Sequence, residues 1–176
     1  MNRAFTIIET LVAIMILMIA ISGPLTNAFQ GLNAAAAARD QMIASNLAQE
    51  GIEAIRNIVD SNIRSGRAAT QGFLLNINTC GSKARCRINV YPSVNVAAQD
   101  GVDNYDNPVF RLYKNVGTNH FVYTSGANMT PFYRSAYIQN IRTDSADVIV
   151  DVWWKSGPYS VENITTAKLT VYNVKR

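Results

Sequence analysis

Few side chains in this sequence are spaced for chemistry, and most of those can be assigned on residue type alone. Cys80 and Cys86 bracket the stretch CGSKARC and are the only cysteines, while His120 is the only histidine. Structural zinc needs about four such ligands, so no metal is expected, and the gap is too wide for a CxxC redox pair. In an exported domain, an even pair this close reads as a local disulfide closing a small loop. Two free thiols, at least one of them buried, are the alternative. Asp100, Asp103 and Asp106 in DGVDNYDN miss the EF-hand spacing and its closing Glu, which favours a solvated turn over a calcium loop. Lys83, Arg85 and Arg87 alternate around the cysteine loop and could meet DNA phosphates. A charged edge that discourages strand pairing requires less, so DNA is not an expected partner. His120 has no Ser or Cys to activate, and alternation places it on a strand. NMT and NIT satisfy the glycosylation triplet without specifying more. No nucleophile elbow or phosphate loop occurs, so catalysis is unsupported and no cofactor is expected.

Glu9 does not dissolve this way. From Phe5 to Ile21 the chain is apolar except for Thr6, Thr10 and this one charged side chain. A carboxylate in a membrane segment costs about 2.5–3.5 kcal/mol on insertion scales, so one that persists points to function. A secretory signal could start at Arg3 and be cut after TNA (Thr26 to Ala28). A plain anchor needs about 20 apolar residues, and Ala4 to Leu25 supplies that length. Both readings would prefer leucine at position 9.

The elements that must carry these residues are of two kinds. Gly23-Pro24 falls where the apolar run ends; proline lacks an N–H, so the helix should kink or loosen there, unless one helix stops at Ser22 and another begins. Beyond it, NAAAAARDQMIASNLAQEGIEAIRNIVD is helical by pattern. Leu47, Gly51, Ile52, Ile55, Ile58 and Val59 form one stripe, and Gln49, Glu50, Glu53, Arg56 and Asn57 take the other side. Asn62 to Gly66 should end the helix, which from Phe5 to Asp60 would span on the order of 80 Å. After residue 66 the period becomes two. FLLNIN, RINVY, VFRLYK, HFVYT and YIQNIRT read as short strands between Gly, Pro, Asn and Asp. DVIVDVWW and AKLTVYNV, joined by KSGPYS, read as a carboxy-terminal hairpin. The expected class is α+β, with a long amino-terminal helix packed on an antiparallel sheet.

Composition agrees. Only 16% of residues are charged, below the usual quarter, and the remainder is rich in Asn, Ser, Thr, Tyr and Gly, as in many extracellular β domains. The net charge of +4 is scattered, which permits acidic partners without demanding them.

Met1-Asn2-Arg3-Ala4, a short basic leader ending in a small residue, precedes FTIIETLVAIMIL, with Phe first and Glu fifth. This resembles the amino terminus of type IV pilins and pseudopilins, the class III signal. Ala4 stands where that family usually has glycine. The resemblance implies that a prepilin peptidase cuts between Ala4 and Phe5, and that Phe5 is then N-methylated. In the family, the glutamate meets the terminal amine of a neighbouring subunit during assembly, which would give Phe5 and Glu9 their roles. Two charges that are each costly alone in lipid are cheaper together, so Glu9 would act as a docking register.

The expected organisation is therefore a leader (1–4), an assembly helix in the membrane (5–25), the amphipathic second half of that helix (26–63) and a β-rich head (67–176). The implied partners are other pilin subunits, the prepilin peptidase and an inner-membrane assembly platform. The amino terminus would be cytoplasmic and the head outside, on the side opposite Arg3. An irregular, tyrosine-rich head and the closing W-K-S-G…L-T-V-Y-N pattern look most like a minor pilin. A pseudopilin of a type II secretion system, and an anchored or secreted binding module outside any filament, are the alternatives.

Overall fold

A computed structural model describes residues 6–66, 72–81, 84–91, 93–99, 107–124, 128–156 and 161–173. The processing residues Ala4 and Phe5, the aspartates from Asp100 to Asp106 and Lys83 lie outside these. By its internal contacts the chain falls into two units, Met1–Arg39 and Asp40–Arg176. One helix, α1 (Ile7–Arg64), belongs in part to each.

In the first unit α1 runs unbroken through Gly23 and Pro24, so there are not two helices. Proline offers no N–H to the preceding turn. Nearby hydroxyls fold back onto their own helix: Ser22 Oγ donates to the Ile19 carbonyl at 2.9 Å and Thr26 Oγ1 to that of Ser22 at 2.9 Å. Every residue from Thr6 to Arg39 is exposed.

In the second unit α1 buries Ala44, Leu47, Ala48, Gly51, Ile52, Ala54, Ile55, Val59 and Asn62, the stripe expected with small residues added where backbones approach. The helix stops in a glycine cap. Gly66, at φ +75°, donates to the Ile63 carbonyl, a conformation open to glycine without strain.

The helix lies on a seven-stranded antiparallel sheet. Its strands are β1 (Cys86–Asn89), β2 (Asn95–Ala98), β3 (Arg111–Lys114), β4 (Phe121–Val122), β5 (Asn128–Gln139), β6 (Ser145–Ser156) and β7 (Val161–Tyr172). β5 is the hub: β6 pairs along one edge, while β1 and β3 share the other, and β2, β4 and β7 lie outside them. The β6–β7 hairpin keeps one register from Ser145↔Tyr172 to Ser156↔Val161, as the alternation of both segments requires.

Four strand assignments change. FLLNIN is a 3-10 turn (Gly72–Leu74) followed by further turns. It buries Phe73, Leu74 and Ile77 at helical rather than alternating intervals, and Asn76 takes φ 70°. The buried Asn62 side chain holds it by donating to the carbonyls of Phe73 (3.1 Å) and Leu75 (2.9 Å). YIQNIRT is the end of a longer strand: β5 stops at Gln139 because Asn140 turns the chain at φ 52° and donates to Asp147. Pro131, which cannot donate to a ladder, interrupts the strand signal near its start. The register with β3 slips there, and Thr130 Oγ1 supplies a hydrogen bond to the Leu112 carbonyl instead. In VFRLYK, Pro108–Phe110 is a short 3-10 turn and only Arg111–Lys114 is strand. His120 sits in the turn before β4 rather than on a strand.

Gly51 sets the distance between helix and sheet. A Cβ there would lie 2.9 Å from Val150 Cγ1, 3.3 Å from Ile88 Cδ1 and 3.5 Å from Arg134 Cδ. Val150 is β-branched and fully buried, so it cannot swing away. Gly51→Leu should destabilise the head by about 3 kcal/mol in denaturant unfolding despite leucine's better helix propensity. The same change at Gly31, where a Cβ meets nothing, should leave the midpoint unmoved.

Candidate functional site

Glu9 stands in the first turn of α1, where the helix dipole favours a negative charge. Thr6 caps that turn, its Oγ1 accepting from the Glu9 N–H at 3.3 Å. Thr6-Ile7-Ile8-Glu9 thus has the sequence of a capping box, a helix-start signal legible from residue types alone. From Ile7 to Leu25 the other polar side chains are Thr10 and Ser22, and both hydroxyls are satisfied by their own helix: Thr10 Oγ1 donates to the Ile7 carbonyl at 2.8 Å, as Ser22 does to Ile19. The Glu9 carboxylate has no hydrogen bond or ion pair among the described residues. No further charge follows it until Arg39. The helix is long and apolar enough to cross a membrane. Its exposed apolar side chains continue past Pro24 through Phe29 and Leu32 to Met42.

The head contains the second constellation. Arg134 of β5 is fully buried. Its Nη1 donates to Glu50 Oε2 at 2.6 Å and to the Leu47 carbonyl at 3.2 Å, both on α1. Its Nη2 donates to the Ile88 carbonyl of β1 at 2.8 Å. Nε faces the Tyr123 hydroxyl at 3.4 Å, and that hydroxyl donates to the Arg134 carbonyl at 2.8 Å. Burial works against the arginine's charge, but the charges and hydrogen bonds of Tyr123 and Glu50 outweigh it, and its pKa lies above the ordinary value. Helical periodicity places Glu50 on the solvent side of the helix; the buried guanidinium draws it in. Arg134 itself shares the inward parity of Phe132, Ala136 and Ile138, which was the available signal.

Cys80 and Cys86 are joined by a disulfide. It holds Arg85 over the outer face of the sheet, where Arg85 Nη1 donates to Asp151 Oδ2 at 2.8 Å and to Ser135 Oγ at 2.9 Å, with its guanidinium 4.5 Å from the Tyr137 ring centre. Thr166 donates to the other Asp151 oxygen at 2.7 Å. Arg85 is therefore committed to the fold rather than presented to phosphates. Asp147 is held well below the usual carboxylate range by hydrogen bonds from Asn140, Lys168 and Thr170. His120 stacks on Tyr91 with ring centres 4.5 Å apart. No group of His, Cys, Asp and Glu among the described residues could hold a metal.

Comparison with protein-family models, curated proteins and solved structures completes the picture. None of the three returns a match.

Breaking the Arg134 pair strands Glu50 and removes a tie between α1, β1 and β5. Arg134→Ala should cost about 3 kcal/mol, the low end for a buried pair because Glu50 is partly exposed. Arg134→Met combined with Glu50→Gln, which removes both charges, should recover part of that in the same unfolding measurement. A loss under about 1 kcal/mol for Arg134→Ala would show that the clamp does not hold the head.

Proposed function

We propose that this chain is a type IV pilin-like filament subunit, closest to a minor pilin, whose mechanism is assembly rather than turnover. The observation that carries this reading is the Glu9 carboxylate, unpaired among the described residues, on a helix that exposes every residue from Thr6 to Arg39. A membrane could cover the apolar side chains, but lipid gives the carboxylate no partner. A neighbouring subunit can supply both. Cleavage between Ala4 and Phe5 would create a terminal amine one helical turn from Glu9, and the amine of one chain would pair with the glutamate of the next. Chains whose helices are offset by the wrong amount would leave two charges unpaired, so pairing fixes register.

In this reading the subunit first sits in the cytoplasmic membrane with its amino terminus inside and its head outside. It is processed by the prepilin peptidase and passed by the assembly platform into a surface fibre. The exposed apolar residues from Ile7 to Met42 are suited to packing against sister helices. The Cys80–Cys86 disulfide fits an oxidising exterior.

In cells that make the protein, Glu9→Ala should leave its level in membranes intact or raised, since a costly charge is gone. Its amount in the sheared fibre fraction should fall about tenfold or more. A Glu9→Ala chain found in fibres at the wild-type level would overturn the proposal.

A further inference from the structure

β7 is a long edge. Among the described residues it pairs only with β6, and over Val161–Tyr172 that pairing has no register slip. The strand contains no proline. Proteins normally blunt such an edge with prolines, bulges or short length, because a row of unpaired N–H and C=O groups recruits another strand. Those three devices are absent among the described residues, and the charges that the strand does carry, Glu162 and Lys168, are of opposite sign and so repel a second copy only in the wrong register.

The side chains on the face away from α1 are Glu162, Ile164, Thr166, Lys168 and Thr170, with Ile164 half exposed. An antiparallel partner of the same sequence, centred on Thr165, puts Glu162 opposite Lys168 of the second copy and Ile164 opposite its Thr166. By two-fold symmetry each pair occurs twice. Both charges already alternate with β6, where Lys155 meets Glu162 at 3.2 Å and Asp147 meets Lys168 at 2.9 Å. The added strand would extend this into a row of plus, minus, plus, minus across both sheets. On the opposite face, Thr165 meets Thr165, and Asn163 meets Ala167.

We infer that β7 is a self-recognition edge, pairing antiparallel with β7 of a second copy about Thr165 through main-chain hydrogen bonds and two Glu162–Lys168 pairs. Sense follows from the packing. Ala44, Leu47 and Ala48 of α1 lie with Val152 and Trp154 of β6, and Ile55 and Val59 with Ala146, Val148 and Val171. Residues 40–64 thus run opposite to β6 and with β7, so the two-fold sets these helices of the two copies antiparallel. Neighbours held side by side with parallel helices cannot make this contact. It joins copies that meet in opposite senses, and it stands whether or not the chain forms filaments.

The test is crosslinking of the full-length chain, purified in detergent with its native disulfide, under copper-phenanthroline oxidation. Opposed β carbons of an antiparallel pair are about 4.5–5.5 Å apart, within easy reach of a disulfide after small adjustment. Thr165→Cys should give a disulfide-linked dimer, while Val116→Cys, exposed but off β7, should not. In the Thr165→Cys background, Glu162→Lys and Lys168→Glu should each lower the dimer yield about tenfold, because each turns two opposite-charge pairs into like-charge pairs. The combined swap should restore it, although both pairs to β6 remain broken. Both sites are exposed, and the combined swap carries the same strain on Lys155 and Asp147 as the single changes, so its recovery separates lost pairing from a damaged fold. A Thr165→Cys yield no higher than that of Val116→Cys, failure of the combined swap to restore the dimer, or crosslinking to a different protein instead would each overturn self-pairing.

Discussion

A guanidinium with no exposed surface costs several kcal/mol unless its charge and donors are met, and the head is arranged around meeting those of Arg134. Its partners come from the Leu47–Glu50 turn of α1, from β1 through Ile88, and from Tyr123 just beyond β4. These elements are far apart in sequence, so the cation ties helix, central strand and edge strand at one point. Gly51 belongs to the same junction. Without a Cβ the helix backbone comes close enough for Leu47 and Glu50 to reach the arginine, with Val150 and Ile88 filling the space below. Burying a charge is seldom the cheapest way to stabilise a core, but it specifies which turn of the helix sits over which strand.

The contrast with the first unit is instructive. In the head, the charges that tie elements together are paired within the chain: Arg134 with Glu50, Arg85 with Asp151, Lys168 with Asp147. On the apolar part of α1 the hydroxyls of Thr10 and Ser22 are turned back on the helix, and the Glu9 carboxylate has no partner among the described residues. A carboxylate left open on an exposed, apolar stretch of helix is poised for a partner that brings a positive charge. That is the physical content of the filament proposal. It explains why a glutamate at position 9 serves where leucine would anchor better.

Much of the fold is legible from periodicity. The stripe from Leu47 to Val59 and the alternation in DVIVDVWW and AKLTVYNV each have a single face that can be buried, and the structure buries it. Misreadings arise where a non-local contact decides. FLLNIN has the composition of a strand, but Asn62 captures two of its carbonyls and fixes turns. β5 is broken in the sequence by Pro131, whose missing hydrogen bond is replaced by a threonine hydroxyl from its neighbour. β2, NVAA, has no alternation to detect and is defined by pairing with β1. Glu50 looks like a solvent residue on any helical wheel; only Arg134, distant in sequence, draws it inward. At the amino terminus the balance reverses. Glu9 stood out by sequence alone, and the structure adds its cap and its lack of a partner.

The central claim is that the chain is cut before its apolar helix, so that Glu9 is kept beside a new amine. The most direct measurement is the intact mass and amino-terminal residue of the protein isolated from its native membranes. A single species beginning at N-methylated Phe5 is the predicted result. A chain beginning at Phe29, from which Glu9 has been removed, or one still beginning at Met1, would contradict the account.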